Sequence, residues 1–364
     1  MGIRKEKQGV LWYNEKEGVL VYMGRKITIK DIAEMAQTSK TTVSFYLNGR
    51  YEKMSQETRD KIQKVIEETG YEPSIVARSL NSKQTKLIGI LIGDITNSFS
   101  NQIVKGIENI AHKRGYQVIV GNSNYDPENE DKYIENMLRL GVDGFIIQPT
   151  SNFRKYAKIS QETKKSLVFF DSQLYEHRSN WVKTNNYDAV YDATQACIQK
   201  GYEEFIIITA DTSLLSTRIE RASGYIDALT DQGLSFTTYI IEDAETTVED
   251  ISTFLKQTIC PDKKTLVFVP NCWALPRVFT ALKNIQFQTM NTGLIGFDNT
   301  EWTDLSSPSV TTIVQPAFQE GEQATKILID QIEGLDNEER QQVLNCQIHW
   351  RESTELQNSG PSSQ

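Results

Sequence analysis

The residues of this chain that could do chemistry form two groups of different kinds. Between Ser39 and Asn48, the side chains of Lys40, Thr41, Thr42, Ser44, Phe45 and Asn48 share the outward face of a short helical stretch. Small hydrogen-bonding groups, one cation and one aromatic ring near a helix N-terminus suit base edges and phosphates in a DNA groove. Farther along, polar and aromatic residues recur just past short apolar runs: Asn97 and Phe99, Asp171, Asn271 and Trp273, and Asp298. Ligands of α/β sheets sit beyond the carboxyl ends of the strands, and this second group suits a hydroxylated small molecule held by hydrogen bonds and ring faces. The signatures of catalysis are missing. No GxGxxG follows the run Leu87–Gly93, and there is no P-loop and no nucleophile elbow. His112, His177 and His349 show no ligand spacing, and Cys197, Cys260, Cys272 and Cys346 form no CxxC pair. The expectation is a binding protein, not an enzyme, with neither cofactor nor metal.

The bulk numbers set the frame for those groups. The chain has 364 residues, 38% hydrophobic and 24% charged, enough for two or three globular domains. No apolar run approaches the roughly 18–20 residues needed to span a bilayer. The apolar scrap Gly9–Trp12 is too short for a secretory signal, so a cytoplasmic protein is expected. The net charge of −9 is unevenly spread. Residues 27–86 hold ten Lys/Arg against eight Asp/Glu, and residues 1–26 hold six against three, so the body after residue 86 is strongly acidic. A weakly basic module binds phosphates through placed contacts, not through a broad field.

The first group needs helices to position it. Thr28 is a good N-cap, with Asp31 three residues on to complete a capping box. Ile32, Met35 and Ala36 then fall on one helical face. After the turn Gln37-Thr38, Ser39 caps a second helix, Lys40–Leu47, with Val43, Tyr46 and Leu47 inward, and Ser55 caps a third that runs to Gly70. Two short helices joined so tightly predict a helix-turn-helix. A further short helical stretch, from Pro73 to a polar linker at residue 85, is too short to be stable alone.

The second group needs strands. Apolar runs at Leu87–Gly93, Gln117–Gly121, Gly144–Gln148, Ser166–Asp171, Phe205–Ala210, Thr265–Val269 and Thr292–Phe297 alternate with helical segments such as Asn101–Arg114, Asn129–Leu140, Ala189–Lys200 and Arg218–Gln232. This pattern predicts a doubly wound α/β fold with two lobes. The expected organisation is a disordered leader over 1–26 (or a true start at Met23), a helix-turn-helix over 27–73, a hinge helix and linker over 74–85, a two-lobed sheet domain over 86–355, and a disordered tail over 356–364.

The run from Ile27 to Ile90 resembles the lactose/galactose repressor family. The resemblance is carried by Thr42-Val43-Ser44, Leu47-Asn48, Val76-Ala77-Arg78-Ser79-Leu80 and Leu87-Ile88-Gly89-Ile90. It continues through Asn97-Ser98-Phe99, Glu130, Val142-Asp143-Gly144, Arg221-Ala222-Ser223-Gly224 and Gly296-Phe297-Asp298-Asn299, so that it spans nearly all of residues 27–355. The fold it implies is that of the periplasmic binding proteins. It implies DNA contacts at Thr28, Ser39, Ser55, Tyr71, Ser74 and Ala77 as well as on the second helix, with Leu80 wedged into a base step, a use of apolar side chains that offsets unstacking by bending the duplex. It implies effector contacts at Asn97, Phe99, Asp171, Arg221, Asn271, Trp273 and Asp298. Cys272 and Asn185 stand where the family usually has aspartate, and an aromatic often found near Glu242-Asp243-Ala244 is missing. Phe45 replaces the usual arginine, which is similar to the ketodeoxygluconate subgroup. The implied function is a homodimeric repressor of carbohydrate catabolism on a near-palindromic double-stranded operator, controlled by a sugar or sugar acid, with no membrane partner. The alternatives are a soluble sugar-binding protein and a regulator answering to a neutral sugar, a nucleobase or a phosphoprotein.

Overall fold

The computed structural model describes residues 5–6, 9–14, 19–23, 27–47, 49–71, 84–149, 153–172, 179–212, 216–242, 245–286, 291–298, 301–335 and 340–355. The chain divides into two units, Met1–Thr85 and Lys86–Gln364.

The first unit opens with three antiparallel strands, β1 (Lys5–Glu6), β2 (Gly9–Asn14) and β3 (Val19–Met23). They fall within the segment, 1–26, for which the sequence reading expects a disordered leader. Val10-Leu11-Trp12-Tyr13 and Val19-Leu20-Val21-Tyr22 are β-branched, aliphatic and aromatic, the residues that fit a pleated ladder, and the register sets Trp12 opposite Val21. Three helices follow: α1 (Ile29–Met35), α2 (Lys40–Leu47) and α3 (Gln56–Thr69). Ile32, Ala33, Ala36, Val43 and Ile62 form their sealed core. The Asp31 carboxylate accepts from both the Thr28 N–H (2.8 Å) and the Thr28 hydroxyl (2.7 Å), tying off the start of α1. Gln37 turns the chain at φ +52°, and Thr42 N–H donates to the Ser39 hydroxyl at 3.0 Å. Ser55 caps α3 in the same way, and Gly70 ends it at φ +57°, where a left-handed residue is needed.

The second unit carries two six-stranded sheets. The first contains β4 (Leu87–Ile92), β5 (Gln117–Asn122), β6 (Gly144–Ile147), β7 (Ser166–Phe170), β8 (Asn180–Thr184) and β14 (Gln341–Leu344), in the order β14-β8-β7-β6-β4-β5 with every pairing parallel. The second contains β9 (Glu204–Thr209), β10 (Thr237–Ile240), β11 (Thr265–Val269), β12 (Thr292–Phe297), β13 (Thr311–Val314) and β15 (Gln347–His349), in the order β10-β9-β11-β12-β13-β15, where β15 alone of these six runs antiparallel to its neighbour. Helices α4 (Ser98–Lys113), α5 (Pro127–Leu140), α6 (Phe153–Thr163) and α12 (Ala317–Ile332) cover the first sheet. Helices α7 (Asn186–Gln199), α8 (Ser216–Thr230), α9 (Val248–Thr258) and α10 (Leu275–Asn284) cover the second, and α11 (Glu301–Leu305) follows β12. The two-lobed doubly wound fold therefore stands as expected. Helices α4 and α12 cross at contact distance because each presents a glycine: a Cβ on Gly106 would meet the Phe318 carbonyl oxygen at 2.1 Å, and one on Gly321 the Ile103 carbonyl oxygen at 2.2 Å.

The chain passes between lobes three times, after β8, after β13 and after β14. Side chains bind these crossings together. Thr184 donates its hydroxyl to Gln315 Oε1 at 2.8 Å, and Asn185 Oδ1 accepts from Cys346 N–H at 2.7 Å.

Candidate ligand cleft and nucleic-acid face

The strand-end residues meet in a cleft between the lobes. Asn97, Phe99, Asp171, Arg221, Asn271, Trp273 and Asp298 all line it, joined by Tyr125, Gln148, Thr217, Arg218, Cys272 and Gln315. In the first lobe Asn97 caps α4, its Oδ1 accepting from Phe99 N–H at 2.9 Å, which fixes the Phe99 ring at the helix start. Asn271 follows β11 and is held from behind, its Oδ1 accepting from Ala210 N–H (2.9 Å) and the Thr209 hydroxyl (3.2 Å). That leaves the Asn271 amide group as the end able to donate.

Two aspartates occupy matching positions, one per lobe. Asp171 follows β7 at φ +65° and Asp298 follows β12 at φ +64°. The left-handed region is costly for most side chains and tolerated best by Asn and Asp, so each strand end turns its carboxylate out of the ladder into the cleft. Gln148 Nε2 donates to Asp171 Oδ2 at 2.9 Å, and Gln315 Nε2 donates to Asp298 Oδ1 at 2.9 Å and Oδ2 at 3.2 Å. Burial pushes the Asp171 carboxyl up to about 6 and raises Asp298 above the usual carboxylate range, while Arg221 opposes both shifts. Glu320, fully buried at the start of α12, accepts from Asp171 N–H at 2.6 Å, and burial with the nearby Asp171 charge holds its carboxyl well above the ordinary value.

Arg221 is engaged on three sides. Its Nε donates to Asn186 Oδ1 and its NH1 to the Pro270 carbonyl, both at 3.0 Å, and its guanidinium lies 3.7 Å from the centre of the Phe297 ring. Burial pushes the Cys272 thiol up to about 12, so it offers no thiolate and serves as a weak donor, reaching Asn97 Oδ1 across the lobes at 3.6 Å. Two further contacts cross the lobes: Lys183 with Glu220 at 2.6 Å, and the hydroxyls of Ser172 and Ser216. Among the described residues no cluster of His, Cys, Asp and Glu could hold a metal ion, and no helix is long and apolar enough to cross a membrane.

Sequence reasoning missed Thr217, Arg218 and Gln315. Arg218 carries a readable signal, since it lies three residues before Arg221 and so on the same helical face. Gln315 carries none, because only the crossing after β13 brings it to the cleft.

In the first unit, Ser39, Lys40 and Thr41 are exposed and Thr42, Ser44 and Phe45 half-buried, and Phe45 is absent from the apolar cluster that takes in Val43, Tyr46 and Leu47. Thr28 and Ser55 are exposed at helix starts, and Tyr71 packs against the helical core. The lysines of α1 and α3 pair along their own helices, Lys30 with Glu34, Lys61 with Glu57 and Lys64 with Glu68, whereas Lys40, Arg50 and Lys53 around α2 enter no ion pair among the described residues. The cations available for phosphate thus gather near α2. Asn48, Ser74, Ala77 and Leu80 lie outside the described residues.

Both halves of the chain match known families. Residues 28–74 match "Bacterial regulatory proteins, lacI family", and residues 85–354 match "Periplasmic binding proteins and sugar binding domain of LacI family". The chain is 30% identical over 331 residues to the HTH-type transcriptional regulator KdgR of Bacillus subtilis (strain 168), covering 90% of this chain and 97% of that protein. It is 30% identical over 333 residues to catabolite control protein A of Priestia megaterium, covering 90% and 99%. Among solved structures it resembles the lac repressor dimer bound to operator and the anti-inducer ONPF, with a TM-score of 0.78 over 91% of this chain and 99% of that one. At 22% identity that last likeness is one of fold. A helix-turn-helix with its cations around α2, a two-lobed domain with one polar cleft, and matches across both halves converge: the chain belongs to the LacI family of bacterial regulatory proteins and is a DNA-binding transcription regulator, not an enzyme.

Proposed function

We propose that this regulator works in the cytoplasm as a homodimeric repressor, reading a near-palindromic operator through α2 and answering to a sugar acid such as 2-keto-3-deoxygluconate. The observation that carries the ligand class is the composition of the cleft: two strand-end aspartates for hydroxyls and an α8 face that brings a guanidinium to the cleft for an acid. Two-fold protein symmetry reads two-fold DNA. The operator reading rests on the α2 face, where Lys40 and Thr41 stand exposed beside a half-buried Phe45.

The test is selection of random duplexes by the full chain, with and without sugar acids. Near-palindromic half-sites should be enriched, and the base pair facing Phe45 should be A·T, because phenylalanine offers a thymine methyl an apolar ring and has no donors for guanine. Phe45→Arg should move that position toward G·C by about 1–3 kcal/mol, the value of a good bidentate contact. Enrichment of a single asymmetric site would sink the dimer reading, and a wild-type preference for guanine there would sink the Phe45 reading.

A further inference from the structure

The cleft holds two arginines in very different circumstances. Arg221 is buried and already donates to Asn186 and Pro270 with its guanidinium against Phe297. Its charge is shared among Asp171, Asp298 and Glu320, each of whose pKa values it lowers against the effect of burial. An anionic ligand group laid against Arg221 would enter a space where three carboxyl groups already compete for one cation. Like charges brought together in a desolvated site oppose binding strongly.

Arg218 stands one helical turn earlier on α8 and lines the same cleft. It is half-buried, its NH1 donates to the Asp211 carbonyl at 3.0 Å, and it enters no ion pair among the described residues. Burial first, and then the adjacent Arg221, pull its pKa below the ordinary guanidinium value, against Tyr125 and the Asp211 charge, which raise it. Two cations three residues apart on a helix are a local cost, one that a bound anion would turn into a gain.

Tyr125 lines the cleft from the facing lobe. It sits at φ +57°, and its ring lies over Gly93, where a Cβ would meet the ring at 2.2 Å. Glycine at 93 therefore makes the place that Tyr125 occupies. Burial raises the Tyr125 phenol well above its usual range, so the hydroxyl stays protonated and able to donate, and it is near enough to Arg218 for each to shift the other's acidity. A guanidinium from one lobe and a hydroxyl from the other thus converge on one end of the cleft. Asp171 Oδ1, buried and without a hydrogen-bond partner among the described residues, lies elsewhere on the wall as an acceptor for a ligand donor.

We infer that Arg218, with Tyr125 on the opposite lobe, takes the anionic end of the effector, while Arg221 acts as a positioning residue that holds the strand-end carboxylates in place. The inference rests on the sugar-acid reading and adds to it the residue that selects the acid. It also gives lobe closure a cause, since the anion is gripped fully only when both lobes contribute. The same donors would accept a sugar carboxylate or a sugar phosphate.

The test measures binding to the full-length protein by calorimetry, with matched pairs as probes: 2-keto-3-deoxygluconate, gluconate against glucitol, galacturonate against galactose, and glucose 6-phosphate against glucose. The wild type should prefer the acid of at least one pair. Arg218→Gln should weaken that acid about 10–100-fold, the scale of a lost charge-assisted contact, and leave its neutral counterpart within about threefold. Arg218→Lys, which keeps the charge and loses the fork, should retain more of the preference for phosphate than for carboxylate. Tyr125→Phe should weaken the acid selectively by a smaller factor. Melting of each variant without ligand reports that it is folded. An acid preference that survives Arg218→Gln overturns the assignment of Arg218 and leaves the sugar-acid reading standing. No acid preference in the wild type overturns both. A preference confined to the phosphate pair upholds Arg218 and replaces the carboxylate with a phosphate.

Discussion

The two lobes carry the same device at different stages of completion. In each, an aspartate in the left-handed region ends a strand and is held by a glutamine amide. Asp298 in the second lobe accepts from Gln315 on both oxygens, and Gln315 is itself pinned by Thr184 at a chain crossing. Asp171 in the first lobe has one oxygen satisfied by Gln148, its Oδ1 has no partner among the described residues, and Glu320 lies beneath its backbone N–H. One carboxylate is built into the frame that joins the lobes. The other is left short of donors, in a place where burial penalises its charge. A site that stays incomplete until ligand arrives gives the ligand something to supply, which is how a binding event acquires differential free energy between conformations.

Asp298→Leu should break the comparison most sharply. It removes a buried acceptor, leaves the Gln315 amide unsatisfied and deprives Arg221 of a counter-charge. A loss of about 2–4 kcal/mol is expected, read as a lower midpoint in thermal or urea unfolding. Unchanged stability would mean that Asp298 is only a ligand contact.

Asp171→Asn should do the reverse. The Asp171 carboxyl is raised to about 6 by burial. An acid whose folded value lies above its unfolded one contributes stability that is present below the unfolded value near 4 and is lost as pH rises through the folded value. At pH 7.5 the ionised side chain is therefore a burden. The amide can keep its oxygen toward Gln148 and point its NH2 where Oδ1 now has no partner. Melting at pH 7.5 should shift upward by the equivalent of about 1–2 kcal/mol, with little change at pH 4.5, while effector affinity falls about 10–100-fold. A variant both less stable and fully able to bind would overturn the contrast between the lobes.

Glu320→Gln probes the same lobe more gently. Glu320 Oε1 accepts from Asp171 N–H, a bond that the amide oxygen preserves, and Oε2 has no partner. Because the Glu320 carboxyl is held well above its ordinary value by burial and then by Asp171, the same sign applies: the wild type loses stability as pH rises above the unfolded value. The gain from the amide should be near zero at pH 4.5 and grow toward pH 8 to about 1 kcal/mol, or about 2–4 °C for a domain of this size. A gain that is constant with pH would show that packing, not ionisation, is responsible.

How far all this could be read from the sequence depends on whether the cause is local. Thr28, Ser39, Ser55 and Gly70 announce the helices of the first unit because caps act within one turn. Strands β4, β6, β7, β11 and β12 are buried and mostly apolar, and the polar residues after β7, β11 and β12 fall in the cleft because strand direction alone puts them there; β8 and β13 are buried too, but Asn180, Lys183, Thr184 and the threonines of β13 hide them from a reading of apolar runs. The edge strands were not legible: β10 and β14 are half-exposed and mixed in composition, and they become strands only by pairing with β9 and β8. In the leader, Asn14-Glu15-Lys16-Glu17 reads as solvated chain and also separates two runs of β-forming residues, so local composition points both ways. Gln315 lines the cleft, and Glu320 reaches the Asp171 backbone N–H, only because the chain crosses between lobes after β13, a fact of topology with no local mark.

The finest test of the comparison is Thr184→Val. Gln148 is fixed by the backbone, its Oε1 accepting from Gly93 N–H at 2.9 Å, and no side-chain substitution removes that donor. Gln315 is fixed by a side chain, the fully buried Thr184 hydroxyl at 2.8 Å. Valine has nearly the same shape and lacks the hydroxyl, so the change deletes one hydrogen bond and leaves Gln315 Oε1 without that donor. The expected loss is about 1 kcal/mol, with the midpoint down by about 2–4 °C. Because the amide loses one of the contacts that set its orientation, Asp298 should be held less firmly and effector affinity should fall by no more than about threefold. Titration and melting of the one variant read both quantities. An affinity loss as large as that of Asp171→Asn would place the ligand's main acceptor in the second lobe and invert the assignment made here. A variant indistinguishable from wild type would mean that the crossing holds Gln315 in place through the backbone alone, and that the two lobes fix their aspartates by the same means after all.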